Sequence, residues 1–241
     1  MNLSRSAAFF LLILAPSLLF AAKGKYAAAP SNYEMVEAPT AYVLLHGGYD
    51  LVARMYEGGG LFVRGNIGFK DRLMIGFSGN ATNVIGHGDI DVQEPRLAVK
   101  WKILEQGGSP VALAAAWDDR GYGEAYSRRF YPGLQKGFYA AVSREFPKAG
   151  FLQMHGGANV VSFSDFESDR DLGFFGGLSF ALHRSFVVNA EIDKVPSDLW
   201  QFNAGFILAF DEPVRLGLDF RDINRPEVFA RILRLQYLSF F

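Results

Sequence analysis

The stretch WQFNAGFILAF at residues 200–210 alternates between apolar and polar side chains. One face takes Trp200, Phe202, Ala204, Phe206, Leu208 and Phe210, and the other takes Gln201, Asn203 and Gly205. Successive side chains of a β-strand point to opposite faces, whereas a helix would spread these two sets around its surface. The stretch therefore predicts a strand with one apolar face and one polar face.

The same alternation recurs from residue 41 to the end of the chain, with turn residues between the segments. We predict about twelve strands, with ten or fourteen as the alternative counts. A segment is typically about 9–11 residues long, which is what a tilted strand needs to cross a bilayer. The segments lie near 41–57, 61–69, 73–81, 96–105, 111–118, 136–146, 151–162, 172–183, 186–194, 200–210, 214–221 and 230–241.

The connections between these segments alternate in length. Short connections lie at 70–72, 106–110, 147–150, 184–185 and 211–213, and most of the others are longer. Bacterial outer-membrane barrels have short periplasmic turns and longer extracellular loops. With an even strand count, we expect both termini on the periplasmic side. The last strand ends in Phe241, and this terminal aromatic resembles the signal that the outer-membrane barrel-assembly machinery reads, so that machinery is an expected partner.

The composition agrees with a barrel that meets lipid on one face and water on the other. Half of the residues are hydrophobic, yet the mean hydropathy is only +0.09, and the net charge of −1 argues against a nucleic-acid partner. A soluble β-sandwich also alternates, but aromatic residues near the segment ends favour contact with the membrane interface. These aromatics are Trp101, Trp117, Trp200, Tyr237 and Phe241. We therefore predict a closed antiparallel transmembrane β-barrel in the bacterial outer membrane.

The first forty residues precede the strand pattern. Residues 1–22 combine Arg5 with an apolar run and small residues, which is the layout of a secretory signal peptide. Residues 23–40 are polar, rich in alanine and proline, and aperiodic, so we expect a flexible periplasmic segment there. The barrel is expected to span 41–241.

Charged side chains fall on the polar face and are expected to line the lumen. They are Arg64, Lys100, Lys102, Glu191, Asp193, Arg215, Asp219 and Arg234, and Phe62 and Phe175 are expected to point inward as well. The charges could pair across a plugged interior or line a channel that selects solutes by charge, and the sequence leaves both open. The function predicted first is passage of polar solutes or saccharides, and the alternative is a plugged barrel that anchors surface loops or an envelope complex.

A third alternative is an outer-membrane lipid hydrolase or acyltransferase. His155 and Asn159 share a strand face, and Ser143 and Ser179 lie on neighbouring strands, so a nucleophile and a base could meet there. A polar histidine that merely faces the lumen is the commoner arrangement, so we expect no catalytic residue. The four histidines lack metal-binding spacings, and we expect neither a metal nor a cofactor.

Three stretches resemble a known family. They are PRLAVKWK at 95–102, WDDRGYG at 117–123 and GFYAAVSR at 137–144, the last continuing to Phe146. This series is similar to the barrel repeats of the exopolysaccharide-associated YjbH-like outer-membrane barrel family, although this chain is much shorter. The resemblance implies an outer-membrane barrel with a role in polysaccharide export, and it carries over no catalytic residue.

Overall fold

The computed structural model describes residues 33–86, 88–120, 136–146, 152–160, 172–183, 185–195, 199–210 and 213–241. The strands in these ranges are β1 Gly48–Tyr56, β2 Gly60–Phe69, β3 Leu73–Thr82, β4 Asp91–Val92, β5 Arg96–Leu104, β6 Ala112–Asp118, β7 Gly137–Glu145, β8 Leu152–Val160, β9 Leu172–His183, β10 Phe186–Val195, β11 Leu199–Ala209, β12 Val214–Arg221 and β13 Ala230–Phe240. A short 3-10 helix, Pro226–Val228, precedes β13. None of the described residues forms a helix long and apolar enough to span a membrane.

Twelve of these strands close into an antiparallel barrel, which confirms the predicted fold and strand count. Each pairs with its neighbours in chain order, and β13 returns to pair with β1. The two-residue strand β4 pairs only with the last two residues of β3, through Ala81↔Val92 and Thr82↔Asp91. Closure leaves no free sheet edge, as a structure within a bilayer requires.

The two ends of the barrel differ. At one end, here called the turn end, lie the short connections together with the start of β1 and the end of β13, where Gly48 pairs with Phe240. The longer connections leave from the opposite end, here called the loop end. This arrangement matches the alternation of connection lengths in the sequence.

The predicted strand limits agree with the structure to within two residues for eleven of the twelve strands. The exception is the first, which begins at Gly48 rather than at 41. Gly47 has a φ of 75°, which favours glycine, and the Gly48 N–H donates to the Leu45 carbonyl at 3.0 Å. A turn at 45–48 therefore separates residues 41–44 from β1 and directs them into the barrel.

The structure also has the apolar and the polar side chains of the strands on the predicted faces. In β3, Ile75 and Phe77 are exposed on the outer surface, whereas Ser78 is buried on the inner surface. The same division recurs around the barrel, with exposed apolar side chains outside and buried polar side chains inside. The outer surface is thus the apolar band that a bilayer covers in outer-membrane barrels.

Residues 33–44, here called the inner segment, lie inside the barrel. The segment turns back on itself at 35–38, where the Met35 N–H donates to the Ala38 carbonyl at 3.0 Å and the Thr40 N–H donates to the Tyr33 carbonyl at 3.2 Å. Met35, Val36, Ala38, Thr40, Ala41 and Leu44 are completely buried.

We expected a flexible periplasmic segment at 23–40. For residues 33–40 this expectation is wrong, because they are folded inside the barrel. These residues are aperiodic because they bind charged groups of the barrel wall rather than completing an apolar sheet face. Residues 23–32 and the signal peptide expected at 1–22 lie outside the described residues.

Candidate functional site: the barrel lumen

All eight charged residues predicted to line the lumen lie on the inner wall. Their side chains come from five different strands, and none is more than 9% exposed: Arg64, Lys100, Lys102, Glu191, Asp193, Arg215, Asp219 and Arg234. Phe62 and Phe175 also point inward and are buried. Burying so many charges is costly unless each finds a partner, so the contacts of these residues define the site.

Glu191 of β10 holds the turn of the inner segment. Its carboxylate accepts backbone N–H bonds from Val36 at 3.0 Å, Glu37 at 2.9 Å and Ala38 at 2.9 Å, and the Asn203 amide donates to it at 2.7 Å. Three successive amides thus form an anion-binding nest around one carboxylate. Hydrogen bonds to an ionised acceptor are roughly twice as strong as neutral ones, so this is a firm anchor.

The two carboxylates of the inner segment meet arginines of the wall. Arg54 of β1 donates to Glu34 at 3.0 Å and to Glu37 at 3.4 Å, and Arg64 of β2 forms an ion pair with Glu34. Arg221 of β12 lies 3.8 Å from the same Glu37 oxygen, measured from its Nε atom. Three strands therefore contribute a guanidinium to one acidic pair.

Two further wall cations bind carbonyl groups of the inner segment. The Lys100 ammonium donates to the carbonyl oxygens of Tyr33 at 3.0 Å, Thr40 at 3.1 Å and Tyr42 at 3.3 Å. Arg234 donates to the Met35 carbonyl at 2.8 Å and also pairs with Asp219 of the neighbouring strand. The segment is thus held through its backbone as well as through its carboxylates.

Glu34 and Glu37 are the only charges that the inner segment brings into the lumen. Burial raises the pKa of the Tyr33 phenol, with Asp50 adding to the increase and Arg215 opposing it. Burial, together with Glu145, raises the pKa of Tyr42 to about 12. Both phenols therefore stay neutral at physiological pH, and the segment carries two negative charges.

Other predicted lumen residues bind partners outside the inner segment. Lys102 donates to the exposed Glu105 at 2.8 Å, and Asp193 pairs with Lys136. The charge of Arg215 lowers the pKa of the Tyr33 phenol, so Arg215 acts on the inner segment electrostatically. Of the eight, Arg64, Lys100, Glu191 and Arg234 contact the segment directly.

A small cavity of about 40 Å³ lies between the inner segment and the wall strands β1, β2, β3, β5, β6 and β7. Its basic lining comprises Arg54, Arg64, Lys100, Arg120 and Lys136, and its acidic lining comprises Glu34, Glu37 and Asp118. Burial lowers the pKa of Arg120, but the adjacent Asp118 carboxylate outweighs it and the net pKa is raised. The cavity is therefore lined by an excess of fixed positive charge.

Sequence reasoning missed Arg54 and Arg120 as lumen residues. In β1 the buried positions alternate through Asp50, Val52, Arg54 and Tyr56. The period-two pattern within 48–56 would have identified Arg54, had the first segment not been extended across Gly47.

The histidine and serine pair considered for catalysis is present but faces the lumen. His155 Nδ1 lies 2.9 Å from Ser143 Oγ, and its Nε2 lies 3.5 Å from Ser179 Oγ. Ser143 Oγ also accepts the Ala41 N–H at 2.8 Å, while Asn159 donates to the Lys136 carbonyl instead. The pair therefore lies beneath the inner segment, on the side of the wall away from lipid. Within the described ranges, no three His, Asp or Glu side chains come together to hold a metal ion.

The aromatics predicted for the membrane interface lie on the outer surface, near the strand ends. Trp101, Trp200, Tyr237 and Phe241 are exposed, and Trp117 is half-buried. Trp117 and Trp200 lie toward the loop end, and the other three lie toward the turn end. Two separate belts are what a barrel spanning a bilayer presents to its two interfaces.

A closed twelve-stranded antiparallel barrel with an apolar outer face, aromatic belts and a charged interior has the architecture of an outer-membrane β-barrel. No protein-family model matches the chain, and a search of curated proteins finds no match in sequence. Among solved structures, the chain is similar to KdgM porin, with 10% identity, a TM-score of 0.55, and coverage of 80% of this chain and 99% of that one.

Two more solved structures belong to the same comparison. KdgM porin in complex with disordered oligogalacturonate gives 8% identity, a TM-score of 0.52, and 80% and 99% coverage of the two chains. NanC porin gives 13% identity and a TM-score of only 0.47, with the same coverage. At these identities the likeness to KdgM concerns the fold.

Proposed function

We propose that this chain is an outer-membrane channel through which polar solutes, and saccharides in particular, pass. The observation that carries the proposal is the content of the lumen. A segment of polypeptide, rather than side chains of the wall alone, occupies the space between buried charged residues of the strands. The route through the membrane is therefore wide enough for a chain molecule and is lined by hydrogen-bonding groups.

The width of the inner segment supports this reading. Barrels of about eight strands are filled by their own side chains, and larger ones enclose more space. Two paired chain segments lie about 5 Å apart, so a folded-back segment needs a passage of roughly 10 Å. A single saccharide chain fits within such a passage. Glycine on the inner wall lets the chain before β1 approach closely. At Gly68, for example, a Cβ would lie only 2.2 Å from the Leu45 carbonyl oxygen.

Two likenesses bear on the solute. KdgM porin, which shares the fold, has been solved with oligogalacturonate, an acidic saccharide. The resemblance of 95–102, 117–123 and 137–144 to the exopolysaccharide-associated barrel family also implies a saccharide. We infer from both that a saccharide is the solute to test first.

The orientation and assembly form part of the proposal. We infer that the turn end faces the periplasm, with both ends of the barrel sequence there and the longer connections at the cell surface. The inner segment then enters the lumen from the periplasmic side. The exposed Phe241, directly after β13, would serve as the signal read by the barrel-assembly machinery.

The test is ion conductance through the refolded protein in planar bilayers. The full chain is compared with a variant that lacks residues 33–40, and heat-modifiable gel migration verifies that both have folded. We expect discrete conductance steps, larger in the deletion variant, and uptake of maltotriose in liposome-swelling assays. Folded protein without conductance in either form would instead support the plugged barrel that anchors surface loops or an envelope complex.

A further inference from the structure

One arginine of β13 points away from the lumen, toward the membrane. Arg231 is exposed on the outer surface, whereas its neighbours Ala230 and Ile232 are buried on the inner one. We propose that Arg231 and a row of phenylalanine rings beside it form a binding site for a lipid whose headgroup carries phosphate. The guanidinium binds the phosphate, and the rings receive an acyl chain. This site lies outside the lumen and does not depend on the proposed channel function.

The guanidinium of Arg231 has no acidic partner in the part of the chain that the structure describes. Its Cζ atom lies over the ring of Phe229, 5.8 Å from the ring centroid, and no ion pair is formed with a described carboxylate. The nearby Arg225, by contrast, is paired with Asp222. A contact with a ring face leaves N–H groups available, and a guanidinium binds phosphate through paired hydrogen bonds. Arg231 therefore offers both charge and donors to an anion at the outer surface.

The position of Arg231 along β13 places it at the level of lipid headgroups. β13 has 11 residues, and at about 3.4 Å per residue and a tilt of about 40° it rises roughly 28 Å, slightly more than an apolar band of about 25 Å. Phe241 lies at the turn end, so Arg231 reaches the opposite interface. The Asn224 amide donates to the Trp200 carbonyl at 2.9 Å, which fixes the connection before β13 at the height of the loop-end aromatic belt.

The rings beside Arg231 form a continuous row on the outer surface. Phe229 stacks on Phe220 of β12, with ring centroids 6.2 Å apart and an angle of 10° between the rings. Phe220 contacts Phe206 of β11 at 6.0 Å, and Phe206 contacts Phe186 of β10 at 6.2 Å. Phe186 begins β10 at the turn end, so the row leads from Arg231 at the loop end into the apolar band. An acyl chain that follows this row contacts rings while its headgroup stays beside the guanidinium.

The charge and the rings together identify a lipid rather than a free anion as the ligand. The guanidinium alone would serve for any phosphate, but the row of rings adds apolar surface that only a molecule with a hydrocarbon chain can cover. In the proposed orientation the loop end faces the cell surface, so the lipid belongs to the outer leaflet.

The experiment measures binding of diphosphoryl lipid A by native mass spectrometry of the refolded protein in detergent. R231Q removes the charge and should weaken lipid A binding at least tenfold. R144Q is the matched control, because Arg144 is also exposed on the outer surface, at the turn end, with its Cζ atom 5.0 Å from the ring centroid of Phe146. R144Q should bind lipid A as the unmodified chain does. Heat-modifiable gel migration verifies that each variant has folded.

Two further measurements test the contribution of the acyl chain. F220L keeps an apolar side chain but interrupts the row of rings, and it should weaken lipid A binding at least threefold. Inorganic phosphate in excess should not displace lipid A from the unmodified chain.

The outcomes decide the site independently of the channel. Equal weakening by R231Q and R144Q would mean that any surface arginine attracts the lipid, and it would overturn the site. Displacement by inorganic phosphate, or unchanged binding by F220L, would overturn it as well. None of these results bears on conductance, so the channel proposal stands or fails by its own test.

Discussion

Glu191 accepts a hydrogen bond from the backbone N–H of Ala38 at 2.9 Å, although the two residues are 153 positions apart in the chain. This contact joins a strand on one side of the barrel to a segment that precedes the first strand. Because the acceptor is a buried carboxylate and the donors are backbone amides, the contact depends on the path of the inner segment more than on its side chains. The lumen is thus built to receive this segment.

Removing the charge of Glu191 should loosen the inner segment. We expect E191Q to weaken its attachment by about 2 kcal/mol, because bonds to an ionised acceptor are replaced by weaker ones and the amide NH₂ faces other donors. In planar bilayers the open probability should then rise at least tenfold.

D193N is the matched control for this experiment. Asp193 is a buried acid on the same strand, but its partner is Lys136, which lies outside the inner segment. The open probability of D193N should stay close to that of the unmodified chain. Equal opening by E191Q and D193N would mean that Glu191 does not anchor the segment.

Two adjacent glycines of β9 should respond differently to a methyl group. A Cβ at Gly177 would lie 2.5 Å from Met35 Cε and 2.6 Å from the Ala190 carbonyl oxygen, whereas one at Gly176 would meet only the His155 carbonyl oxygen at 3.5 Å. We expect G177A to lower the free energy of unfolding by about 2 kcal/mol through overpacking. G176A should change it little or raise it slightly, since alanine restricts the unfolded chain.

Urea unfolding in lipid vesicles measures this difference, and M35A should partly restore G177A by removing one of the two overlaps. If G176A and G177A lost the same amount of stability, the inner segment would not pack against Gly177.

An arginine on the outer surface of the barrel should lower the free energy of unfolding only where that surface faces the hydrocarbon core of the bilayer. Ile75 is an exposed apolar residue in the middle of β3, and I75R should lower the free energy of unfolding in vesicles by about 2–4 kcal/mol. V92R is the control, because Val92 is 73% exposed in β4, which pairs with the last residues of β3 at the loop end, and should tolerate the charge. Similar stabilities of the two variants would show that Ile75 does not face lipid.

The strands could be predicted from the sequence because each carries its own evidence. In 200–210, for example, the outer residues face lipid and the inner ones face polar groups. The alternation of apolar and polar residues within this one stretch therefore predicts which way each side chain points. The limits of 172–183 and 214–221 agree with the structure to the residue. Closure then follows from the absence of hydrogen-bonding partners in lipid.

The inner segment could not be predicted in the same way. Val36 and Ala38 are small and apolar, and nothing near them in the sequence shows that their amides bind Glu191. The alternation predicts that the eight charged residues lie on the inner face of the strands, but it does not predict their partners. Arg234, for example, binds the carbonyl of Met35, which is 199 positions away in the chain. Long-range pairings of this kind depend on the closed barrel.

Tying the inner segment to the wall should close the channel reversibly. Ala41 of the segment donates its N–H to Ser143 Oγ of β7 at 2.8 Å, so the two residues are neighbours, and the natural chain has no cysteine. In A41C/S143C a single disulfide can therefore form, provided that the Cα atoms come within the usual 4.4–6.8 Å.

Mass spectrometry of the intact protein verifies the bond. Oxidised protein should conduct at least tenfold less than the same protein after reduction, and A41C or S143C alone should show no redox dependence. Equal conductance in the oxidised and reduced states would mean that solute passes without movement of the inner segment.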